Sequence, residues 1–294
     1  MNTAGRVDTT RSSDADAPLG PGLFPDGCRW VGALVVRAAF TFSVPSGPLV
    51  ATAIHAGHDV RPAIRELIAV DDATRRREED PFTDLVIDRI DGRFVVHRSR
   101  FEVDLNRPRD AAVYRTVDDA WGLRVWKQLL PDSEREESLT IYDEFYAVLG
   151  EVLDGVAARG CFLVLDVHSY NHRRDGAAAA PAPVDGHPEV NVGTGALDVA
   201  RWGSVVRRFI DGLGAEEVAG HRLDVRENVR FRGGHLARWM VDRYPTRACP
   251  LAIELKKVFM DEWTGVRDVE HVEQLGRALT AVAHRVADTL TEHS

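Results

Sequence analysis

The sequence predicts an α/β sandwich whose central sheet is at least partly parallel. Apolar runs of strand length alternate along the chain with segments of helical periodicity, which is typical of strand–helix–strand units. With 294 residues, the chain is long enough for one large domain or two small ones. We predict a disordered N-terminal tail over residues 1–26, which are polar and lack an apolar run, and a single domain over residues 27–294.

The apolar runs predict where the strands lie. Residues 161–167 are rich in branched aliphatic side chains, which favours a strand buried on both faces. Residues 30–42 favour one or two strands, and the Pro- and Gly-containing residues 43–48 favour a turn. The other predicted strands share an apolar run that ends in polar residues, and they cover residues 49–59, 93–98, 223–227 and 248–257.

The helices follow from apolar residues at intervals of three and four. Residues 138–159 carry the clearest stripe, and Gly160 ends it. Weaker stripes predict helices at residues 61–69, 80–90, 198–213, 232–244 and 266–290. Residues 116–130 have no clear period and are expected to form loops or short helices. Residues 171–190 are rich in Ala, Pro and Gly, which predicts a mobile surface loop.

Charge and composition exclude several functional classes. The net charge of −9 argues against a general nucleic-acid-binding protein, because a phosphate backbone would be repelled. No apolar run approaches the roughly 20 residues needed to span a bilayer, and the N-terminus has no secretory h-region. The three cysteines are widely spaced and odd in number, which favours free thiols. We therefore predict a cytoplasmic protein that binds neither nucleic acid nor membranes.

Three predicted strands deliver a reactive side chain where their apolar run ends. These side chains are His55, His168 and Glu254. If the strands are parallel, their carboxyl ends gather at one edge of the sheet, where α/β proteins bind ligands. Two histidines and a carboxylate, with water in the fourth position, form a common catalytic zinc site, and a further glutamate can act as a general base. The pattern therefore predicts a hydrolytic zinc site.

Six short motifs add a family resemblance. They occupy residues 55–57, 79–84, 99–107, 166–169, 230–234 and 253–255. In this order they resemble the N-formylglutamate amidohydrolases, a branch of the zinc-dependent carboxypeptidase-like superfamily, over about residues 49–261. The resemblance implies a three-layer sandwich with a mixed, mainly parallel central sheet of the zinc-carboxypeptidase, phosphorylase/hydrolase-like type. It also implies a zinc-dependent amidohydrolase of N-acyl amino acids such as N-formyl-glutamate.

The resemblance also implies roles for individual residues. His168, in His-Ser-Tyr, is similar to a zinc ligand of the metallocarboxypeptidases, and His55 is the expected first ligand. Glu254 is similar to their catalytic glutamate. Asn106 and Arg107 resemble a pair that grips a substrate carboxylate. The remaining residues expected to shape the substrate pocket are Arg232, Gly233 and Gly234.

The third metal ligand is the point at which the sequence departs from the carboxypeptidase pattern. The position three residues after His55 is His58, where those enzymes have a glutamate. We favour Asp80 as the third ligand, with His58 and Glu79 as alternatives. Asp166 is expected either to orient His168 or to cap a loop, and Asp104 is expected to brace Arg100 or Arg107.

Two other functions remain open from the sequence. A metallocarboxypeptidase-like enzyme that removes a C-terminal residue from a peptide would use the same site. A non-catalytic binding protein would have a degenerate site, which the joint presence of His55, His168 and Glu254 disfavours. The expected partner in the favoured case is a small carboxylate-bearing amide, and residues 171–190 are a candidate lid or specificity loop.

Overall fold

The computed structural model describes residues 29–31 and 34–293. The predicted N-terminal tail and Cys28 lie outside the described residues. Cys161 and Cys249 are buried free thiols, as predicted. No helix within the described ranges is both long enough and apolar enough to cross a membrane.

The strands and helices alternate along most of the chain, as the sequence predicts. The strands are β1 (Arg29–Val31), β2 (Leu34–Val36), β3 (Phe40–Phe42), β4 (Leu49–Ala53), β5 (Arg93–Val96), β6 (Phe162–Tyr170), β7 (Val190–Gly193), β8 (Glu217–Val218), β9 (His221–Arg222), β10 (Val225–Glu227) and β11 (Ala248–Lys256). The helices are α1 (Pro62–Leu67), α2 (Asp72–Glu78), α3 (Thr83–Val86), α4 (Asp132–Ala157), α5 (Val199–Gly214), α6 (His235–Arg243) and α7 (Val269–Ala287).

One mixed sheet contains nine of the described strands, in the order β1-β2-β3-β5-β4-β6-β11-β7-β10. The four central strands β5, β4, β6 and β11 are parallel. Antiparallel pairing begins on either side, between β3 and β5 and between β7 and β11. The prediction of a mixed sheet with a parallel centre is therefore confirmed. The ends of β4, β6 and β11 meet at one edge, which we call the carboxyl edge.

The two faces of the sheet pack against different helices. On β6, Leu163, Leu165 and Val167 belong to the core that includes α3, α5 and α7. Phe162 and Val164 point to the opposite face, whose core includes α4 and α6. All nine residues of β6 are buried, and each large apolar side chain contributes about 1.5–3 kcal/mol by leaving water. The three-layer sandwich is confirmed.

Two segments differ from their predicted structure in ways that form the site. The strand predicted to end at Val167 continues to Tyr170, since other segments supply hydrogen-bond partners for its polar side chains. The helix predicted over residues 80–90 is only the single turn α3. Phe82 precedes it in the left-handed region, with φ of 70°, so the chain turns sharply here and brings Asp80 to the carboxyl edge.

Other differences concern element ends. Helix α4 begins six residues earlier than predicted, directly after Pro131, because acidic side chains stabilise its exposed first turn. Helix α7 begins at Val269, where the Asp268 side chain accepts a hydrogen bond from the His271 N–H. Strand β7 was not predicted, because it has only four residues and follows the long Ala- and Pro-rich segment.

Candidate metal centre and its cavity

The carboxyl edge brings together the three reactive residues that the sequence singles out. His55 follows β4, His168 lies on β6 and Glu254 lies on β11. The β6–β11 register places His168 directly beside Glu254. Asp80 comes from outside the sheet, and its N–H donates a hydrogen bond of 2.9 Å to the His55 carbonyl. The segment carrying Asp80 is therefore attached to the end of β4.

His55, Asp80 and His168 form a compact buried cluster. Asp80 Oδ2 lies 3.4 Å from His55 Nδ1 and 3.0 Å from His168 Nδ1. One potential ligand atom from each residue falls within 4.8 Å of the others. His55 Nδ1 is buried and has no hydrogen-bond partner within the described chain. Two imidazoles and one carboxylate are a donor set that suits zinc, so these residues fit a metal ion.

The alternatives to Asp80 are turned away from this cluster. His58 Nδ1 lies 2.5 Å from Glu79 Oε2, and the other Glu79 oxygen accepts a hydrogen bond from Ser99. Buried Arg75 contacts both His58 and Glu79. His58 and Glu79 are thus engaged with each other, and the structure groups Asp80 with the two histidines.

The outer nitrogen of each cluster histidine contacts a buried carboxylate. His55 Nε2 lies 2.8 Å from Asp104 Oδ1, and His168 Nε2 lies 3.0 Å from Asp166 Oδ2. Asp166 in turn accepts a hydrogen bond of 2.7 Å from Thr52. Such carboxylates fix the orientation and tautomer of a metal-binding histidine. The geometry of Asp166 agrees with the orienting role rather than with a loop cap.

Asp104 has a role that the sequence analysis missed. Its predicted partners are both present, with Arg100 at 2.8 Å and Arg107 at 3.5 Å. Its contact with His55 joins residues 49 positions apart, and no spacing rule in the sequence reveals such a pair. The neighbouring cations offset the cost of burying this carboxylate.

Burial and charge shift the pKa values of the cluster. Burial opposes ionisation of Asp80, but its contacts with the His168 and His55 imidazoles outweigh burial and lower the Asp80 pKa. Burial disfavours the charged form of His168, yet the carboxylates of Asp166 and Asp80 raise its pKa well above the usual value. Burial is the main cause that raises the pKa of Glu254 to about 8. A bound cation would act in the opposite direction on Glu254, because positive charge favours the carboxylate.

A cavity of about 250 Å³ opens beside the cluster. The cluster residues and Glu254 line it, together with basic and aromatic side chains. The basic ones are Arg100, Arg174, Arg232 and Lys257, and the aromatic ones include Trp121 and Phe231. A larger cavity of about 490 Å³ lies along residues 113–135 and contains none of the cluster residues. The smaller cavity is therefore the candidate substrate pocket, since it adjoins the reactive groups.

Arg107 is not among the residues that line this pocket, and its role in gripping a substrate carboxylate stays a prediction. Its guanidinium contacts Asp104 and the Asp119 carbonyl, and it lies 4.8 Å from the centre of the Tyr114 ring. These three contacts engage its guanidinium with residues that do not line the cavity. Arg232 lines the pocket, as predicted, and within the described chain its guanidinium makes no ion pair or side-chain hydrogen bond.

Asn106, Gly233 and Gly234 also line the pocket, as predicted. The Asn106 side-chain oxygen accepts a hydrogen bond of 3.0 Å from the Leu236 N–H, in the first turn of α6. A Cβ atom on Gly234 would lie 2.1 Å from that oxygen, and Gly233 has a φ of 99°. Only glycine fits the close approach at position 234 and the left-handed backbone at 233.

The Ala- and Pro-rich segment 171–190 reaches the pocket only at its start. Of its described residues, Asn171 and Arg174 line the cavity. Farther along, Arg226 donates hydrogen bonds to the carbonyls of Val184 and Asp185. These contacts attach the segment to β10, and its role as a lid remains a prediction.

These features define an α/β protein with a candidate metal centre at the carboxyl edge of parallel strands. The chain belongs to the N-formylglutamate amidohydrolase family, whose model matches residues 47–260. The family resemblance found in the sequence is therefore confirmed. Membership of this family supports a hydrolase that acts on carbon–nitrogen bonds.

Solved structures agree on the fold. The N-formylglutamate amidohydrolase from Ralstonia eutropha JMP134 is 20% identical, with a TM-score of 0.69 over 87% of this chain and 100% of that one. A gene product of Agrobacterium tumefaciens is 14% identical, with a TM-score of 0.61 over 86% of this chain and 96% of that one. No curated protein matches the chain at a significant level.

Proposed function

We propose that this protein is a zinc-dependent amidohydrolase that cleaves the amide bond of an N-acyl amino acid, with N-formyl-glutamate as the first candidate. The observation that carries the proposal is the convergence of His55, Asp80 and His168 within 4.8 Å. Glu254 pairs with His168 across β6 and β11 and borders the same cavity. Membership of an amidohydrolase family supports the type of bond.

The residues in and around the cluster would have separate roles in the reaction. His55, Asp80 and His168 would hold the ion, and Asp104 and Asp166 would orient the two imidazoles. Zinc, when bound, would polarise the amide carbonyl and make the attacking water more acidic. Glu254 would accept a proton from that water on its carboxylate and then deliver it to the leaving nitrogen.

Arg232 is the best-placed residue to bind a substrate carboxylate. It lines the cavity, and its guanidinium can offer two parallel donors to a carboxylate. Arg100 and Arg174 add positive charge to the same wall. Arg107, which the resemblance assigned to this role, would instead support Asp104. The small cavity and its basic lining favour a compact anionic substrate.

A substrate panel tests this proposal. The zinc-loaded protein is incubated with N-formyl-glutamate, N-formyl-leucine, N-acetyl-glutamate and the dipeptide Ala-Glu, and release of the free amino acid is measured. We expect fastest release from N-formyl-glutamate and slower release from N-formyl-leucine, which lacks the second carboxylate. Fastest cleavage of the dipeptide would favour the carboxypeptidase-like alternative. Zinc binding without cleavage of any substrate in the panel would contradict the proposed activity.

A further inference from the structure

Lys257 is a buried lysine beside the metal cluster that the sequence analysis did not single out. It follows the last residue of β11 and lies three positions after Glu254. Its side chain is only 1% exposed. A lysine is rarely buried this fully without partners, because removing an ammonium group from water is costly.

Every donor of the Lys257 ammonium has an acceptor. Nζ donates to the Arg77 carbonyl at 2.5 Å, to the Glu79 carbonyl at 2.7 Å and to Asn171 Oδ1 at 3.0 Å. An ammonium has three donors and no acceptor, so its hydrogen bonding is complete. The surroundings of Lys257 Nζ are therefore specific for an ammonium group.

Two of these acceptors are carbonyls at the end of α2. In a continuing helix, the Arg77 carbonyl would accept from the N–H of residue 81, but residue 81 is proline and has no N–H. The helix ends with Glu79 as its C-cap, which leaves carbonyls without helical partners. Lys257 supplies the missing donor, and its positive charge also suits the negative end of the helix.

The contact with Glu79 bears directly on Asp80. The Glu79 carbonyl and the Asp80 N–H belong to one peptide unit. Lys257 Nζ donates a hydrogen bond to the Glu79 carbonyl of this unit, and the His55 carbonyl accepts one from the Asp80 N–H. Rotation of this peptide would break both hydrogen bonds, which together fix the backbone that carries the Asp80 side chain.

Asn171 extends the connection to β6. It follows Tyr170, the last residue of that strand, and lies three positions after His168. The single ammonium of Lys257 thus joins the segments that carry Glu254, Asp80 and His168. We propose that Lys257 is a positioning residue, which holds the Asp80 peptide in the orientation that completes the metal site. The inference rests on the proposed zinc-dependent function.

A matched pair of variants tests this role. Lys257→Met removes the ammonium and keeps an unbranched apolar stem. Lys256→Met makes the same change at the adjacent buried lysine, whose Nζ donates to the Ala182 carbonyl at 3.3 Å in the 171–190 segment. Zinc affinity is measured by competition with a chromophoric chelator, and the melting temperature of each metal-free variant is measured beside it.

We expect Lys257→Met to bind zinc about 10- to 100-fold more weakly than the parent, as found for residues that orient metal ligands. Lys256→Met should bind zinc within about twofold of the parent, because its ammonium donates to the Ala182 carbonyl and to neither the Asp80 peptide nor Asn171. A Lys257→Met protein with a lower melting temperature and unchanged zinc affinity would show that Lys257 is only structural, and would overturn the inference.

Asn171→Ala decides the question if Lys257→Met does not fold. It removes one acceptor of the ammonium and leaves both α2 carbonyls bonded, so we expect a loss in zinc affinity of about 2- to 10-fold. Parent-like affinity in Asn171→Ala would then overturn the inference. If the parent binds zinc but hydrolyses no amide, the proposed activity alone is wrong, and the comparison of zinc affinities still decides the role of Lys257.

Discussion

The two sides of the candidate site differ in how completely their polar groups are paired. On the metal side, Asp80 and His168 are buried and contact each other, and most of their polar atoms have a protein partner. On the side of the candidate substrate pocket, Trp121 is 52% exposed, and among the described residues Arg232 lines the cavity without a side-chain partner. The fold therefore preorganises the His55, Asp80 and His168 cluster, whereas Arg232 is available for contact with a ligand.

The largest effect is expected when one of the proposed metal ligands is removed. His168→Ala removes one of the three proposed ligands and leaves Asp80 and Asp166 without their shared partner. We expect zinc affinity to fall by more than about 100-fold, which exceeds the loss typical of residues that only orient ligands. Zinc content after dialysis and hydrolysis of N-formyl-glutamate are the measurements.

A matched control for this variant is His221→Ala. His221 is exposed, contacts Glu189 and is not among the residues that line the cavity. We expect it to keep zinc and activity at the parent level. If the His168 variant bound zinc as tightly as the His221 variant, the proposed metal site would be wrong.

The second-largest effect is expected on kcat, with zinc binding unchanged. Glu254→Gln keeps the shape of the side chain but removes the proton acceptor. We expect kcat to fall by about 10²- to 10⁴-fold, the usual contribution of a general base, while one zinc per chain is retained. Parallel measurements of zinc content and rate check this outcome. A variant that retains parent activity would exclude Glu254 as the base.

A smaller effect is expected on the substrate side. Arg232→Ala should raise KM for N-formyl-glutamate by about 10- to 100-fold, the range expected for losing a charge-assisted hydrogen bond. Arg107→Ala serves as the comparison, because its guanidinium contacts Asp104 and is not among the groups that line the cavity. A larger rise in KM for Arg107→Ala than for Arg232→Ala would indicate that Arg107, and not Arg232, binds the substrate carboxylate.

The smallest effect expected is a gradual dependence of rate on pH. Glu254 must be ionised to accept a proton, so kcat/KM should rise with pH through its pKa. That pKa is about 8 without metal, and bound zinc should lower it, since positive charge favours the carboxylate. We therefore expect an acid limb with an apparent pKa below 8, measured from pH 5 to 9 at saturating zinc. A rate that fell with rising pH across this range would contradict the role of Glu254.

The sequence was most informative where a residue follows directly from an element of regular structure. His55, His168 and Glu254 could be found because each ends an apolar run, and parallel strands must bring their carboxyl ends together. Gly233 and Gly234 were found through the family motif, and the structure supplies the physical reason, a left-handed backbone at 233 and a close approach at 234. The choice among His58, Glu79 and Asp80 depended on the family motif, since their spacing alone allows each of them.

Tertiary structure decided the contacts between segments that are distant in sequence. It turned His58 and Glu79 toward each other and Asp80 toward the histidines. It placed Asp104 against His55 and paired Arg107 with Asp104.

The sequence by itself thus determined the α/β class, the order of its elements and the reactive side chains that its strands deliver. Only the folded chain determined which neighbouring carboxylate lies against the two histidines, and that Lys257 donates to the carbonyl of the peptide before it. The physical reason is that strand and helix periodicity is local, whereas hydrogen bonds between loops depend on distances that only packing sets.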